Sequence, residues 1–437
     1  MEELDIIGGG LAGLEAASQA ARRGIKVNLY DMKPGKLSEG HQSGFLGEMI
    51  CSNSLGSTTL STASGLLKNE LEKLNSFFLK NGEKCRVSAG NSFSVDRLKL
   101  AEKLTEEIRS FPNINYISRE INDIPETGNI TIIATGPLTS DKLAGKISEF
   151  TGRKNLHFYD ATSPIVDIES IDMSETYWAS RYDKGEPDFL NIPLDRGQYQ
   201  TLVNDLLESE KTALRDFEKG MFFEACLPVE EIARRGEESL SFGPMKPVGL
   251  KDPKTGKIPY AVIQLRQDDV KKKLFQIVGF QTRLTWGEQK KVFRKLPGLK
   301  NAVFERYGRM HRNTYINAPA ILNTFYQSKK NENIFFAGQI SGVEGYLESV
   351  CSGLISGINA VKLIRKEPLT PPPYDSACGS LIKYITESNW MDFKPSKFTF
   401  GLLPDIKIRG KSKREKKEIK AGFALRSLEK WIKEEKI

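Results

Sequence analysis

The sequence is poor in the residues that build disulfide frameworks and metal sites: 437 residues contain five cysteines and three histidines. An odd number of cysteines without paired spacing argues for reduced thiols in a cytoplasm. There is no C-x-x-C, and with so few imidazoles a structural zinc site is not expected. Long apolar runs are also missing, since none approaches the ~20 residues a spanning helix needs. The N-terminal apolar stretch follows Glu2, Glu3 and Asp5, where a secretory signal would carry basic residues. Neither signal peptide nor membrane anchor is expected, and the expected location is cytoplasmic. No internal repeat or long low-complexity stretch is present. A hydrophobic content of 39% is ordinary for a globular chain, and this length accommodates two or three domains.

What is present begins at Gly8-Gly9-Gly10-Leu11-Ala12-Gly13. Around it the residues spell a βαβ unit. Ile6-Ile7 end a short buried strand, Leu11 to Arg23 read as an Ala-rich helix, Gly24 is placed as its C′ glycine, and Ile25 to Tyr30 supply a second strand closed by Asp31. Gly8 allows a tight turn, Gly10 lets backbone N–H groups approach phosphates, and Gly13 lets helix and strand pack closely. The helix N-terminus then favours an anion. Asp31 is placed to accept hydrogen bonds from a ribose hydroxyl.

The same opening occurs in NAD and S-adenosylmethionine folds, so the choice of nucleotide rests on two later segments. Thr131 to Ile133 is an apolar strand running into Ala134-Thr135-Gly136, a turn at which flavoproteins of the glutathione-reductase type return toward FAD. Asn333 to Gln339, which contains Gly338, is a second such strand, followed by Gly342, Gly345 and a helix from about Tyr346 to Arg365. Its N-terminus would stabilise the anionic ring of a reduced flavin. These segments in this order predict an α/β fold: a discontinuous Rossmann-like FAD-binding domain, an inserted mixed α/β substrate domain, and a basic C-terminal helical tail. The limits are read as 1–155, 156–327 and 328–437. Within the insert, Phe242 to Leu250, a turn at Asp252 to Lys257 and Tyr260 to Leu265 read as strand, turn, strand, with Leu274 to Phe280 as a further strand of a mixed sheet. Pro371-Pro372-Pro373 is expected to end the preceding helix and start the C-terminal appendage.

The formal net charge of +8 is unevenly spread, because the residues from Asp405 onward hold twelve Lys/Arg against six Asp/Glu. Lys411, Lys413, Arg414, Lys416, Lys417 and Lys420 lead into an amphipathic pattern from Phe423 to Ile432. This is either a solvated face or a surface for RNA phosphates.

Taken together, these phrases resemble the bacterial folate- and FAD-dependent tRNA (uracil-5-)-methyltransferases of the TrmFO family, over nearly the whole chain. The likeness is carried by Gly8 to Gly13, Glu48 to Ser54, Ala134 to Ser140, Phe158 to Ala161, Ser180 to Gly185, Phe223 to Pro228, Gly243 to Leu250, Val278 to Thr282, Met310 to Thr314 and Gly342 to Tyr346. Lys33, Ala225 and Ser396 stand where the family commonly has arginine, glycine and methionine. The resemblance implies transfer of a one-carbon unit from methylenetetrahydrofolate to carbon 5 of the T-loop uridine of tRNA, with FAD reduced by NADH or NADPH. No membrane and no obligate protein partner are implied. Carbon 5 is a poor nucleophile until something adds to carbon 6, and a thiolate suits that addition.

On bare sequence Cys226, in a segment read as a strand ending at Pro228, is a buried small hydrophobe. The resemblance makes it the nucleophile and Cys51 a second required cysteine, concerned with proton handling or protection of the flavin adduct. Cys85, Cys351 and Cys378 read as structural. His311 alone reads as a structural histidine; the resemblance places it against the pterin, with Arg312 or Arg283 toward the folate glutamate. Arg181, Lys246, Arg283, Arg309, Lys413 and Arg414 are candidate RNA contacts, with Tyr182 or Trp286 as stacking surfaces for an extruded base. Three other readings share parts of the pattern: the same chemistry on ribosomal RNA, an MnmG-like modification of a wobble uridine, and a small-molecule FAD dehydrogenase.

Overall fold

The computed structural model describes residues 3–38, 40–125, 128–154, 156–183, 186–212, 227–406 and 410–437. Its centre is a parallel five-stranded sheet in the order Ile334–Phe336, Ile130–Ile133, Glu3–Ile7, Lys26–Asp31, Ile114–Ser118. The strands are short, and the central ones are apolar at Leu4, Ile6, Ile7, Val27, Leu29, Ile132 and Ile133, all buried. The strands nearest the sheet's centre come from sequence positions far apart, so the nucleotide-type unit is assembled from both ends of the chain.

Helix Leu11–Arg22 follows the first strand, and Gly24 continues beyond it with φ +81°. It packs along helix Tyr346–Ile364 through a seam of small residues. A Cβ on Gly353 would stand 2.2 Å from the carbonyl oxygen of Ala12, and one on Gly357 2.8 Å from that of Ala16. Only glycine permits this approach.

The expectation that no apolar run approaches spanning length needs correction at this second helix. Tyr346–Ile364 has 19 residues and a window of mean hydropathy 1.3, long and apolar enough to cross a bilayer by those measures. Its window is 83% buried inside the protein, so its apolarity serves the core.

Antiparallel strands Leu156–Ala161 and Met310–Tyr315 lead out of this unit and back. Between them lies a second sheet, ordered Tyr177–Trp178, Phe189–Leu194, Ala261–Gln267, Leu274–Ile277, Ile165–Asp167, Phe304–Arg306, with its own core around Tyr199, Phe275, Phe280 and Phe293. Every neighbouring pair here is antiparallel, not mixed as the sequence suggested. The segment read as a strand at 242–250 is instead a short helix, Ser239–Phe242, followed by turns. Pro244 and Pro247 explain this, because each removes a donor from any ladder.

At the C-terminal end, helix Tyr346–Ile364 stops before the prolines rather than at them, with Lys366 at φ +56°. The residues beyond return to the first core. Helix Ala377–Glu387 is held at its N-terminus by buried Glu70, whose carboxylate accepts from the backbone N–H of Ala377 (2.7 Å) and Cys378 (2.8 Å). Helix Lys413–Glu435 starts in a capping box of Ser412 and Glu415 and buries Ala421, Ala424, Leu428 and Trp431.

Replacing Gly353 with Ala forces a Cβ into backbone that has no rotamer to escape through. The expected result is a loss of about 1–3 kcal/mol of stability, read as a lower thermal midpoint, together with weaker retention of bound flavin. A variant melting like the wild type would show that the two helices can move apart at no cost.

Candidate functional site

The glycine-rich turn is built by steric exclusion. Gly8 sits at φ +110°, and a Cβ there would come within 2.4 Å of the Ala134 carbonyl oxygen. A Cβ on Gly13 would lie 1.8 Å from Gly8 O. Strand, turn and helix therefore share one close contact point with the Ala134-Thr135-Gly136 turn. Asp31 is drawn in as well: one carboxylate oxygen accepts from Gly9 N (2.6 Å) and the other from Lys33 N (2.9 Å).

This turn opens onto a cavity of about 550 Å³ lined by Gly8, Gly10, Leu11, Ala12, Asp31, Ala134, Thr135, Gly136, Gly338 and Tyr346. Gly9, Gly13 and Gly342 shape the backbone from behind it; a Cβ on Gly342, at φ +87°, would meet the Phe393 ring at 2.5 Å. Helices Leu11–Arg22 and Tyr346–Ile364 both begin at the cavity wall, after Gly10 and Gly345, and neither has a side-chain cap. Two helix N-termini with free N–H donors and a carboxylate at the strand end form the donor set that a dinucleotide cofactor requires. The residues present fit FAD.

The same cavity reaches the chemistry-bearing residues. Cys51 lines it, with Sγ 3.8 Å from the Ala161 carbonyl oxygen. Its backbone is held from both sides: Cys51 N donates to the Tyr346 hydroxyl (2.8 Å), and Gln276 Nε2 donates to Cys51 O (3.0 Å). His311, on the returning strand, is only 6% exposed, and neither ring nitrogen has a hydrogen-bond partner among the described residues. Burial, followed by the charges of Arg306 and Arg309, lowers its pKa to about 4, so the ring is neutral. Asn313, two positions on and lining the same cavity, has an unpartnered Nδ2. A buried neutral imidazole facing a cavity is a flat surface suited to a ring.

Two cavity residues escaped the sequence reading. Glu344 is buried with its pKa pushed up to about 8, by burial first and then by the charge of Asp160, while it accepts from Gln339 Nε2 (2.7 Å). Glu344 sits inside the Gly342 to Tyr346 phrase, but nothing in one sequence says it is buried. Arg266 lines the cavity from the second sheet, more than two hundred residues from the loop it touches, and no local pattern marks it.

Other candidates lie elsewhere. The Arg283 guanidinium binds Glu231 (2.6 Å), and Arg312 pairs with Asp141 (3.0 Å); neither lines the cavity. Arg181 donates to the carbonyls of Lys246 (2.8 Å) and Val248 (2.6 Å), tying down the 246–248 turn. Trp286, half exposed, stacks on Tyr307 at 5.6 Å and lies under Arg309 at 4.7 Å. Tyr182 is exposed at φ +63°. Lys413 and Arg414 occupy the exposed first turn of the last helix, Arg414 paired with Glu418. Cys85, Cys351 and Cys378 are buried free thiols. Cys226, with the strand expected around it, lies outside the described residues.

Three comparisons bear on this geometry. The profile of the family described as Glucose inhibited division protein A matches residues 3–368. The chain is 47% identical over 428 residues to the methylenetetrahydrofolate–tRNA-(uracil-5-)-methyltransferase TrmFO of Bacillus velezensis, covering 98% of each. It is 48% identical over 429 residues to the protein of that name from Natranaerobius thermophilus, covering 98% of this chain and 99% of that one. Among solved structures, Aquifex aeolicus GidA superposes in two crystal forms with TM-scores of 0.67 and 0.68, at 18% and 17% identity. The match covers 88% and 90% of this chain and 67% and 72% of those chains. At that identity the likeness establishes the fold alone.

Two histidines of the cavity, half-buried His41 and buried His311, give the site a pH signature. His41 and His311 both have pKa values lowered to about 4 from an ordinary 6.5, in each case chiefly by burial. For these two groups unfolding takes up protons between those limits, so their contribution is constant above pH 6.5 and is lost as pH drops toward 4, while Glu344, raised to about 8, contributes with the opposite sign. Removing one such group, as in His311→Phe, should reduce that slope by about 1.4 kcal/mol per pH unit. Urea unfolding across this window checks it; an unchanged slope would mean that His311 already titrates normally in the fold.

Proposed function

The chain belongs to the TrmFO family of methylenetetrahydrofolate–tRNA-(uracil-5-)-methyltransferases, and from that membership we propose that it methylates the T-loop uridine, through the T-arm of tRNA, in the cytoplasm. It is an FAD enzyme that takes its carbon from methylenetetrahydrofolate, with NADH or NADPH as reductant. The observation that carries the reading is one cavity holding the dinucleotide cradle, Cys51 and the neutral ring of His311 together.

Bound FAD supplies the electrons that convert a transferred one-carbon unit into a methyl group. The rest falls to the chain. Gly10, Leu11 and Ala12 would present backbone donors to the cofactor's pyrophosphate, Asp31 would accept from a ribose hydroxyl, and the N-terminus of helix Tyr346–Ile364 would hold the ring. His311 supplies a flat uncharged face for the pterin. Cys226 adds to carbon 6 of the uracil, which makes carbon 5 nucleophilic, and Cys51 handles a proton nearby. The antiparallel unit between residues 162 and 309 carries substrate recognition. The uridine is extruded, because neither a thiolate nor a flavin can reach a uracil still stacked in the T-loop.

Unmodified tRNA incubated with methylenetetrahydrofolate and NADPH, then digested to nucleosides, should yield 5-methyluridine; methylation that requires S-adenosylmethionine would discard this chemistry. A parallel incubation with ribosomal RNA decides between the two RNA substrates. Cys226→Ala should abolish product while the protein stays yellow. His311→Ala should raise the apparent folate requirement about tenfold with FAD retained, and an unchanged requirement would remove His311 from the pterin site.

A further inference from the structure

Two guanidinium groups grip the loop that carries Cys51, and a third, that of Arg306, lies within electrostatic range of the Arg97–Asp268 pair. Arg97, at the start of helix Arg97–Arg109, donates to Ile50 O (3.1 Å) and pairs with Asp268 at 2.7 Å; both side chains are under 10% exposed. Arg266 reaches in from strand Ala261–Gln267, its Nε donating to Asn53 Oδ1 (2.9 Å) and one terminal nitrogen to Ser52 Oγ (2.9 Å) and Gln276 Oε1 (2.6 Å). Gln276 in turn holds Cys51 O (3.0 Å). Arg306 follows from the edge strand, 9% exposed, its Nε without a partner among the described residues. Residues 50 to 53 are thus gripped one after another by the second sheet and by helix Arg97–Arg109.

The charge around this loop is lopsided. Against three cations stands Asp268, already paired with Arg97. Of the other titratable groups facing the loop, the Glu48 carboxylate is taken up by Gln42 and Ser43, and His41 is neutral. Burial holds the Tyr346 hydroxyl well above its ordinary range, hence neutral. Glu344 is pushed up to about 8 and burial raises Glu348 as well, while Asp160 and, at the nucleotide turn, Asp31 are further carboxylates of the cavity wall. Burial lowers Arg266 and Arg306 only to about 10, so both stay charged at neutral pH.

We propose that Arg266 is a positioning residue for the methyl transfer: its fork fixes Ser52 and Asn53 so that Cys51 stays at the cavity wall, and its charge, with that of Arg97, favours the Cys51 thiolate over the thiol. The inference rests on Cys51 taking part in the reaction. The step is a proton transfer: the S–H bond breaks, the proton passes to water in the resting enzyme, and no electrons change hands. Guanidinium groups beside a thiol raise the fraction present as thiolate at neutral pH, and the thiolate is the form that takes up a proton or attacks.

The test uses the flavin-loaded enzyme and measures iodoacetamide alkylation of Cys51 by peptide mass spectrometry over a pH series. In Arg266→Met the midpoint should rise by about one pH unit, which slows alkylation at neutral pH about tenfold. Arg266→Lys should fall between, keeping the charge and losing the fork, with kcat affected more than the KM for folate. Arg266→Gln keeps one hydrogen bond without the charge and reads the same midpoint should the methionine variant not fold. A wild-type midpoint in either uncharged variant overturns the proposal. Full methyl formation in Cys51→Ala would instead remove Cys51 from the reaction, leaving the midpoint measurement intact.

Discussion

The close approach of helices Leu11–Arg22 and Tyr346–Ile364 is the constraint from which the site follows. Gly353 and Gly357 meet the backbone of Ala12 and Ala16 at distances that exclude any side chain. Because the helices lie this close, their N-termini open into one cavity, and two sets of unsatisfied N–H donors face the same space. A methyl group in the seam would part the two helix N-termini. One small-residue contact thereby serves both the core, through dispersion over the whole helix length, and the binding of an anionic cofactor.

The second dependence is electrostatic and joins the two cores. Arg97 and Asp268 form a buried pair between the cofactor unit and the antiparallel sheet. A pair of this kind adds little net stability, because desolvation offsets the attraction, but removing one partner leaves an uncompensated charge. Asn53 extends the junction by donating to Val95 O (3.1 Å) and Gln267 O (2.9 Å). The Cys51 loop thus borrows its geometry from both units, and neither alone would hold it.

The cavity sorts its titratable groups by burial. His311 is lowered to neutrality, Glu344 is raised into the range where it exchanges protons near neutral pH, and the guanidiniums stay charged. A flat uncharged ring, a carboxyl able to give or take a proton and a thiol among cations are thus available within one enclosed volume. These are the group types that a folate-borne carbon and a pyrimidine ring call for.

The sequence determined everything that depends on local spacing. The turn at Gly8 to Gly13, the carboxylate of Asp31, the Ala134 to Gly136 return and the helix from Tyr346 are each contiguous phrases whose steric needs fix the backbone, and their positions were legible from residue order. The strand read at 242–250 was misjudged because an apolar run with two prolines resembles a strand in composition yet lacks the donors to pair. Arg283 and Arg312 pair with Glu231 and Asp141 and do not line the cavity, a placement that residue order does not give. Arg266 gave no signal at all, since its meaning lies in a contact with Ser52 and Asn53 across the chain. Tertiary structure alone decided which charges face the cysteine and which are neutralised elsewhere, because burial and pairing are properties of the folded neighbourhood, absent from any stretch of sequence.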